Sequence, residues 1–144
     1  MALPQETRWA RLSVARKLLT REQLDRIESW VNHAILANYP LRIEHEPREQ
    51  AIAEGAMALF GETYGDVVRT VRIGAERTLS FELCGGTHVP ETGIIGPFVI
   101  VSESSVASGI RRIEALTGRG ALRLIHDRLA VLDKAADLLG APPE

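Results

Sequence analysis

The sequence predicts an α+β fold: a mostly antiparallel sheet with flanking helices and a projecting C-terminal helix. Three observations carry this prediction. Short alternating or continuous apolar runs, separated by turn signals, fill the chain between Leu41 and Ala115. Ahead of them, Leu24, Ile27, Val31, Ala34 and Ile35 recur at helical spacing. Behind them, Leu122, Ile125, Leu129, Leu132, Ala136 and Leu139 step by three and four residues, the seam of a coiled-coil or docking helix.

The bulk properties bound the function. A chain of 144 residues is long enough to bury a core. With 45% hydrophobic and 25% charged residues it has the composition of a globular domain. Its net charge of −2 rules out polyanion binding by overall charge, so any nucleic-acid contact needs a local basic patch. A lone cysteine forbids an internal disulfide and fits a reducing compartment. No apolar run reaches the ~18 residues of a membrane span. Met1-Ala2-Leu3-Pro4-Gln5-Glu6 is not a secretion signal, and the expected location is the cytoplasm.

The elements follow in order. Arg11 to Ala15 alternates weakly and suits a short strand. Thr20 opens a helix, with Gln23 placed to complete a capping box, and Asn38-Tyr39-Pro40 stops it. Leu41 to Glu46 alternates like a half-buried strand. Pro47 starts a short helix that Gly55 ends. Ala56 to Gly61, small and apolar, is expected in the core, and Tyr64-Gly65-Asp66 in a turn. Val67 to Ile73 and Thr78 to Leu83 read as strands joined by the hairpin loop Gly74-Ala75-Glu76-Arg77. A period of two puts Leu79, Phe81 and Leu83 on one face and Ser80, Glu82 and Cys84 on the other. Phe98 to Val101 lacks alternation and predicts a strand buried on both faces. Ser102 to Ser105 and Ser108-Gly109 mark a bend before a last strand, Ile110 to Ala115.

The chemistry concentrates at Glu82-Leu83-Cys84-Gly85-Gly86-Thr87-His88-Val89. A thiolate and an imidazole with three residues between them form a C-x₃-H pair across a flexible Gly-Gly corner. Zinc takes both donors but wants about four ligands, or three plus water. A metal site, a packed structural cysteine and a Cys/His nucleophile are all compatible with the spacing. His33, His45 and His126 make no second close pair. His45 between Glu44 and Glu46 suits a solvated strand face. Arg111-Arg112, with Arg119 and Arg123, form the densest basic region, diluted by Glu103, Glu114 and Asp127.

Four blocks extend the signal. They are Gly55-Ala56-Met57-Ala58-Leu59-Phe60-Gly61-Glu62-Thr63-Tyr64-Gly65, Glu82 to His88, Thr92-Gly93-Ile94-Ile95-Gly96-Pro97-Phe98, and Ser102-Glu103-Ser104 followed by Gly109 to Gly118. In this order they resemble the editing domain of bacterial alanyl-tRNA synthetases. The resemblance implies hydrolysis of alanine tRNA mischarged with serine or glycine. It implies that Cys84 and His88 are zinc ligands, joined by an upstream H-x₃-H pair that this sequence lacks, so two of the expected four ligands are present. Residues 1–118 would be the editing (second additional) domain without its N-terminal part, and 119–144 the start of a helical connector. The chain then reads as a fragment whose isolated activity is weak. The resemblance places ATP-dependent aminoacylation in the remaining synthetase domains. It makes Thr87 a candidate hydroxyl donor at the catalytic corner, or a cap of the Gly-Gly turn, and makes Arg111 and Arg112 candidate contacts to the tRNA backbone. Two rivals remain: a tRNA-binding module without catalysis, and a metal-independent Cys/His hydrolase.

Overall fold

The structure is a computed structural model that describes residues 9–13, 18–58, 64–107 and 110–140. The order of elements is β1 (Trp9–Ser13), α1 (Arg21–Leu36), β2 (Leu41–Pro47), α2 (Arg48–Ala53), β3 (Val67–Gly74), β4 (Thr78–Leu83), a 3-10 turn (Thr92–Ile95), β5 (Phe98–Ala107), β6 (Ile110–Thr117) and α3 (Gly118–Leu139). The fold class is α+β, as expected. The strands form two three-stranded antiparallel sheets, ordered β1-β6-β5 and β2-β3-β4. They fall in two compact units, one made of residues up to His33 and from Ile95 onward, the other of Ala34–Ile94.

In the first unit, α1 starts where the capping box places it. The Gln23 amide donates to Thr20 Oγ1 at 3.2 Å, and the Thr20 amide to Gln23 Oε1 at 2.9 Å. Strand β5 lies at the sheet edge, and two side chains of α1 take the place of a neighbouring strand. The Asn32 carboxamide donates to Phe98 O at 2.7 Å and accepts from Phe98 N at 2.9 Å. Glu28 accepts from Ile100 N at 2.6 Å. The outer ladder groups Phe98 N, Phe98 O and Ile100 N are thus satisfied without another strand. Val99, Ile113, Ala115 and Ala121 are buried.

Two expectations fail on β5. Val101 is 39% exposed, so the apolar run is not covered on both faces. Ser102 to Ser105 are strand, not bend, and β5 continues to Ala107. A bulge between Ile100 and Ser102 shifts the register, and the polar residues then find partners across the sheet. Ser102 donates to Glu114 Oε2 at 3.0 Å, and Glu103 faces Arg111. Strand β1 begins at Trp9, earlier than its weak alternation indicates. The expected Ser108-Gly109 bend and the end of that strand at Ala15 fall outside the described residues. Helix α3 ends at Gly140, whose φ of 64° suits a residue without Cβ.

The Glu103–Arg111 pair is bidentate, with Arg111 Nε to Glu103 Oε1 at 2.5 Å and Nη2 to Oε2 at 2.7 Å. These hydrogen bonds to Arg111 hold the Glu103 carboxyl below the usual carboxylate range; burial opposes them, and the charge of Arg111 and the Leu19 backbone assist. A depressed folded-state value stabilises above the unfolded-state pKa, and the contribution disappears as pH falls through the folded-state value. We expect Glu103→Gln to flatten the acid limb of stability. Urea midpoints measured from about pH 7 to about pH 3 check this, because the wild type should lose more across that range than the variant.

In the second unit, Ala51, Ala56, Val68, Phe81 and Leu83 form the core, with Tyr64 packed against it. The alternation of β4 is as expected, with Phe81 and Leu83 buried. Arg72 stacks on Phe81, 3.6 Å from the ring centroid, and reaches Glu54 at 2.9 Å. Helix α2 stops at Glu54, and Gly55 follows with φ 94°. The β3–β4 hairpin needs glycine at 74, where φ is 138° and a Cβ would collide with the Arg77 carbonyl. Strand β2 is an edge strand, which leaves Ile43 42% exposed where half-burial was expected. Met57 is also exposed rather than packed. Its backbone is used instead, pairing with Phe81 O and Leu83 N at 2.9 Å each. The rest of that apolar run, from Leu59 to Gly61, falls outside the described residues.

Candidate functional site

Strand β4 delivers Cys84 to the end of the β2-β3-β4 sheet. The Cys84 amide donates to Arg69 O at 3.1 Å, which continues the ladder one step past Leu83. The chain then turns through Gly85-Gly86 and returns with His88. Neither glycine has a positive φ, so the corner does not require glycine for its backbone conformation. At Gly86 a side chain would meet both candidate residues at ordinary contact distance. A Cβ there would sit 3.5 Å from Cys84 Sγ and 3.9 Å from His88 Cε1, so thiol and imidazole flank the same small volume. At Gly85 a Cβ would meet nothing within 4 Å.

The return of the loop is fastened at its far end. Thr92, which is buried, accepts from Tyr39 N at 2.8 Å and donates to Ala34 O at 2.8 Å. The Thr92 amide donates to Tyr39 O at 2.9 Å, and the Leu41 amide to Pro90 O at 2.8 Å. Asn38, at φ 50°, accepts from Gly93 N at 2.8 Å and donates to Glu91 Oε2 at 3.0 Å. A side chain at Gly93 would strike Asn38 Oδ1.

Arg69 is the residue that motif reading missed. Its Nη1 donates to Cys84 O at 2.5 Å and lies 3.4 Å from His88 Nδ1. It stands opposite His45 in the β2–β3 register, so His45, Arg69 and Cys84 lie in one row across the sheet. The signal that could have found it is strand alternation in β3, which puts Arg69 two residues from Val71 on the same face. His45 is exposed on its edge strand. Thr87 is exposed as well, with no hydrogen bond from its hydroxyl to the described residues.

Cys84 and His88 fit zinc by donor type, thiolate sulfur and imidazole nitrogen, and both lie beside the place a Cβ of Gly86 would take. They fall short in number. Among the described residues no group of three or more His, Cys, Asp and Glu could hold a metal ion. The two candidate arginines lie on β6 with opposite surroundings. Arg111 has its guanidinium on Glu103, with the pair 17% and 5% exposed. Arg112 pairs in register with Ser104 on the face that also carries Ser102 and Glu114. Among the described residues it has no carboxylate within ion-pair distance.

Residues 68–114 match the pattern of the threonyl and alanyl tRNA synthetase second additional domain. Over 127 residues the chain is 50% identical to an alanine-tRNA ligase of Lawsonia intracellularis, covering 88% of this chain and 14% of that protein. It is 52% identical over 123 residues to the Geobacillus kaustophilus alanine-tRNA ligase, covering 85% and 14%. The chain belongs to the alanyl-tRNA synthetase family. It spans about a seventh of the length of these curated relatives. The matched segment runs from β3 through β6 and so includes Arg69, the Cys84–His88 corner and both β6 arginines. No helix of the described residues is long and apolar enough to cross a membrane.

Proposed function

We propose that this segment serves the editing reaction of an alanine-tRNA ligase, hydrolysis of alanine tRNA mischarged with serine or glycine. The observation that carries the reading is the shared volume over Gly86, flanked by Cys84 Sγ and His88. Cys84 and His88 would hold a zinc ion together with donors from outside this sequence. Bound zinc would supply a Lewis acid that polarises a water or anchors the substrate's amino group. The chain's own residues bind and orient. Arg69 ties the corner to β3, Thr92 fastens the loop's far end, and Thr87 offers an exposed hydroxyl that can meet the serine side chain. A hydroxyl read by hydrogen bonds can be discriminated strongly from a methyl group. Of the two β6 arginines we assign the tRNA-backbone contact to Arg112, because Glu103 occupies the fork of Arg111. Residues 119–144 then begin the connector to the rest of the synthetase, and the setting is the cytoplasm.

The test uses a full-length ligase that carries this segment. Cys84→Ala and His88→Ala should each lower Ser-tRNA hydrolysis by at least about a hundredfold and leave aminoacylation within about twofold. Unchanged hydrolysis in both would sink the proposal. Loss in Cys84→Ser with full resistance to chelators would favour a metal-independent thiol hydrolase instead. The 144-residue chain alone, with two of the usual ligands, should bind zinc weakly and deacylate poorly.

A further inference from the structure

We infer that Glu82 anchors the α-ammonium group of the aminoacyl ester, an inference that rests on the editing reading above and makes no use of a metal. Every aminoacyl-tRNA ends in an ester carbonyl with a free amino group one carbon away. At neutral pH that amino group is largely protonated. A site that holds the ester away from water therefore needs an anionic partner for it.

Glu82 stands two residues before Cys84 on one run of β4, so the two share a face of the sheet. Ser80, two residues earlier again, donates from Oγ to Glu82 Oε1 at 2.7 Å on that face. Across the sheet Glu82 pairs with Val71, which is 4% exposed, and Arg69 is the next residue of β3 on the same side. The loop that starts at Cys84 rejoins the sheet at the opposite outer strand, where the Leu41 amide donates to Pro90 O at 2.8 Å. On the way His88 meets Arg69 at 3.4 Å, so the loop crosses β3 on the face of Val71 and Glu82. Glu82 is thus a half-buried carboxylate at the start of that crossing.

This carboxylate has no cation of its own. Among the described residues no basic side chain lies within ion-pair distance of it. Arg69 gives Nη1 to Cys84 O, and Arg72 is bonded to Glu54. Ser80 holds one oxygen, and the other has no hydrogen-bond partner among the described residues. Such a group is fitted to receive a charged N–H donor. Neighbours on one face of a strand stand about 6.5–7 Å apart. A charged hydrogen bond of about 2.8 Å, with the two bonds from nitrogen to carbonyl carbon, covers most of that gap and leaves the carbonyl beside Cys84. The ammonium is common to seryl, glycyl and alanyl esters, so Glu82 sets the frame for all three. Choice among them falls to the group that meets the side chain, the role given above to Thr87.

The experiment uses a full-length ligase that carries this segment and two substrates. One is Ser-tRNA; the other is its nitrous acid deamination product, in which a hydroxyl replaces the ammonium. Each enzymatic rate is divided by the spontaneous hydrolysis rate of the same ester, because the ammonium itself activates the ester. Wild type should favour the ammonium ester in kcat/KM by at least about tenfold, the effect of a hydrogen bond to a charged group. Glu82→Gln should lose at least about tenfold on that ester, stay within about threefold on the hydroxy ester, and keep aminoacylation and the circular dichroism spectrum of wild type. Glu82→Asp, which retains the charge, should recover part of the loss. Ser80→Ala should lose less than Glu82→Gln, because it frees the carboxylate without removing it. Equal kcat/KM of wild type on the two esters would overturn the inference whatever the variants do. Equal losses by Glu82→Gln on both esters, or no loss on either, would also overturn it, and brisk Ser-tRNA hydrolysis by wild type would leave the editing reading standing. No Ser-tRNA hydrolysis by wild type would overturn both.

Discussion

Gly86→Ala is expected to leave the fold as stable as wild type, or up to about 1 kcal/mol more stable, while editing falls sharply. The stability side follows from the backbone. Gly86 has no positive φ, and a Cβ there would make ordinary contacts at 3.5 and 3.9 Å, so nothing in the chain is strained. Removing a glycine also restricts the unfolded chain, which favours folding by about 0.4–1 kcal/mol. The functional side follows from the same atoms. The new methyl group would lie beside Cys84 Sγ and His88 Cε1, where the proposed metal or substrate group would have to enter. In a full-length ligase, Ser-tRNA hydrolysis and zinc content should drop about tenfold to a hundredfold, the range seen when groups around metal ligands are altered. Gly85→Ala, facing open space, is the control and should retain both. Thermal melting of the 144-residue chain and hydrolysis by the ligase together decide it. Full hydrolysis in Gly86→Ala would show that nothing binds between the two side chains.

The second large effect concerns stability. Asn32→Leu keeps the approximate size of the side chain but strips both hydrogen bonds from Phe98, leaving a part-buried N–H and C=O on the edge of β5. Each such group costs about 1–3 kcal/mol when its partner is removed, so a loss of about 2–4 kcal/mol is expected. Glu28→Gln retains an acceptor for the Ile100 amide and should cost less than about 1 kcal/mol. Urea denaturation of the two variants measures the difference. Comparable midpoints would mean that water or another group satisfies the β5 edge in place of α1.

Much of the local structure could be read from residue order because its causes are local. The Thr20–Gln23 capping box, the Gly74 hairpin and the burial of Phe81 and Leu83 on one face of β4 each depend on residues a few positions apart. What escaped reading depends on strand register. Ser102 to Ser105 have the composition of a bend, and only their pairing with Glu114 and Arg111 across a bulge keeps them in a strand. Arg69 carries no motif, and its importance comes from standing beside Cys84 in the next strand. The division of the strands into two sheets has the same origin, since alternation shows faces and not neighbours. At the corner, Cys84 Sγ and His88 Cε1 both lie within 4 Å of a Cβ placed at Gly86, while neither glycine has the positive φ that the flexible-corner reading would suggest.

The double anchoring of the cysteine loop has a thermodynamic consequence. The loop from Cys84 to Thr92 is bonded to β3 at its start and to the Tyr39 backbone at its end. Its two donors are therefore confined relative to each other before anything binds. For a ligand that engages the thiol, the imidazole is a tethered second site with a high effective concentration, so closing the second bond costs little further entropy. Under the proposed reading the corner would act as a bidentate chelator built into the chain, and cutting Thr92 loose should weaken it without touching either donor.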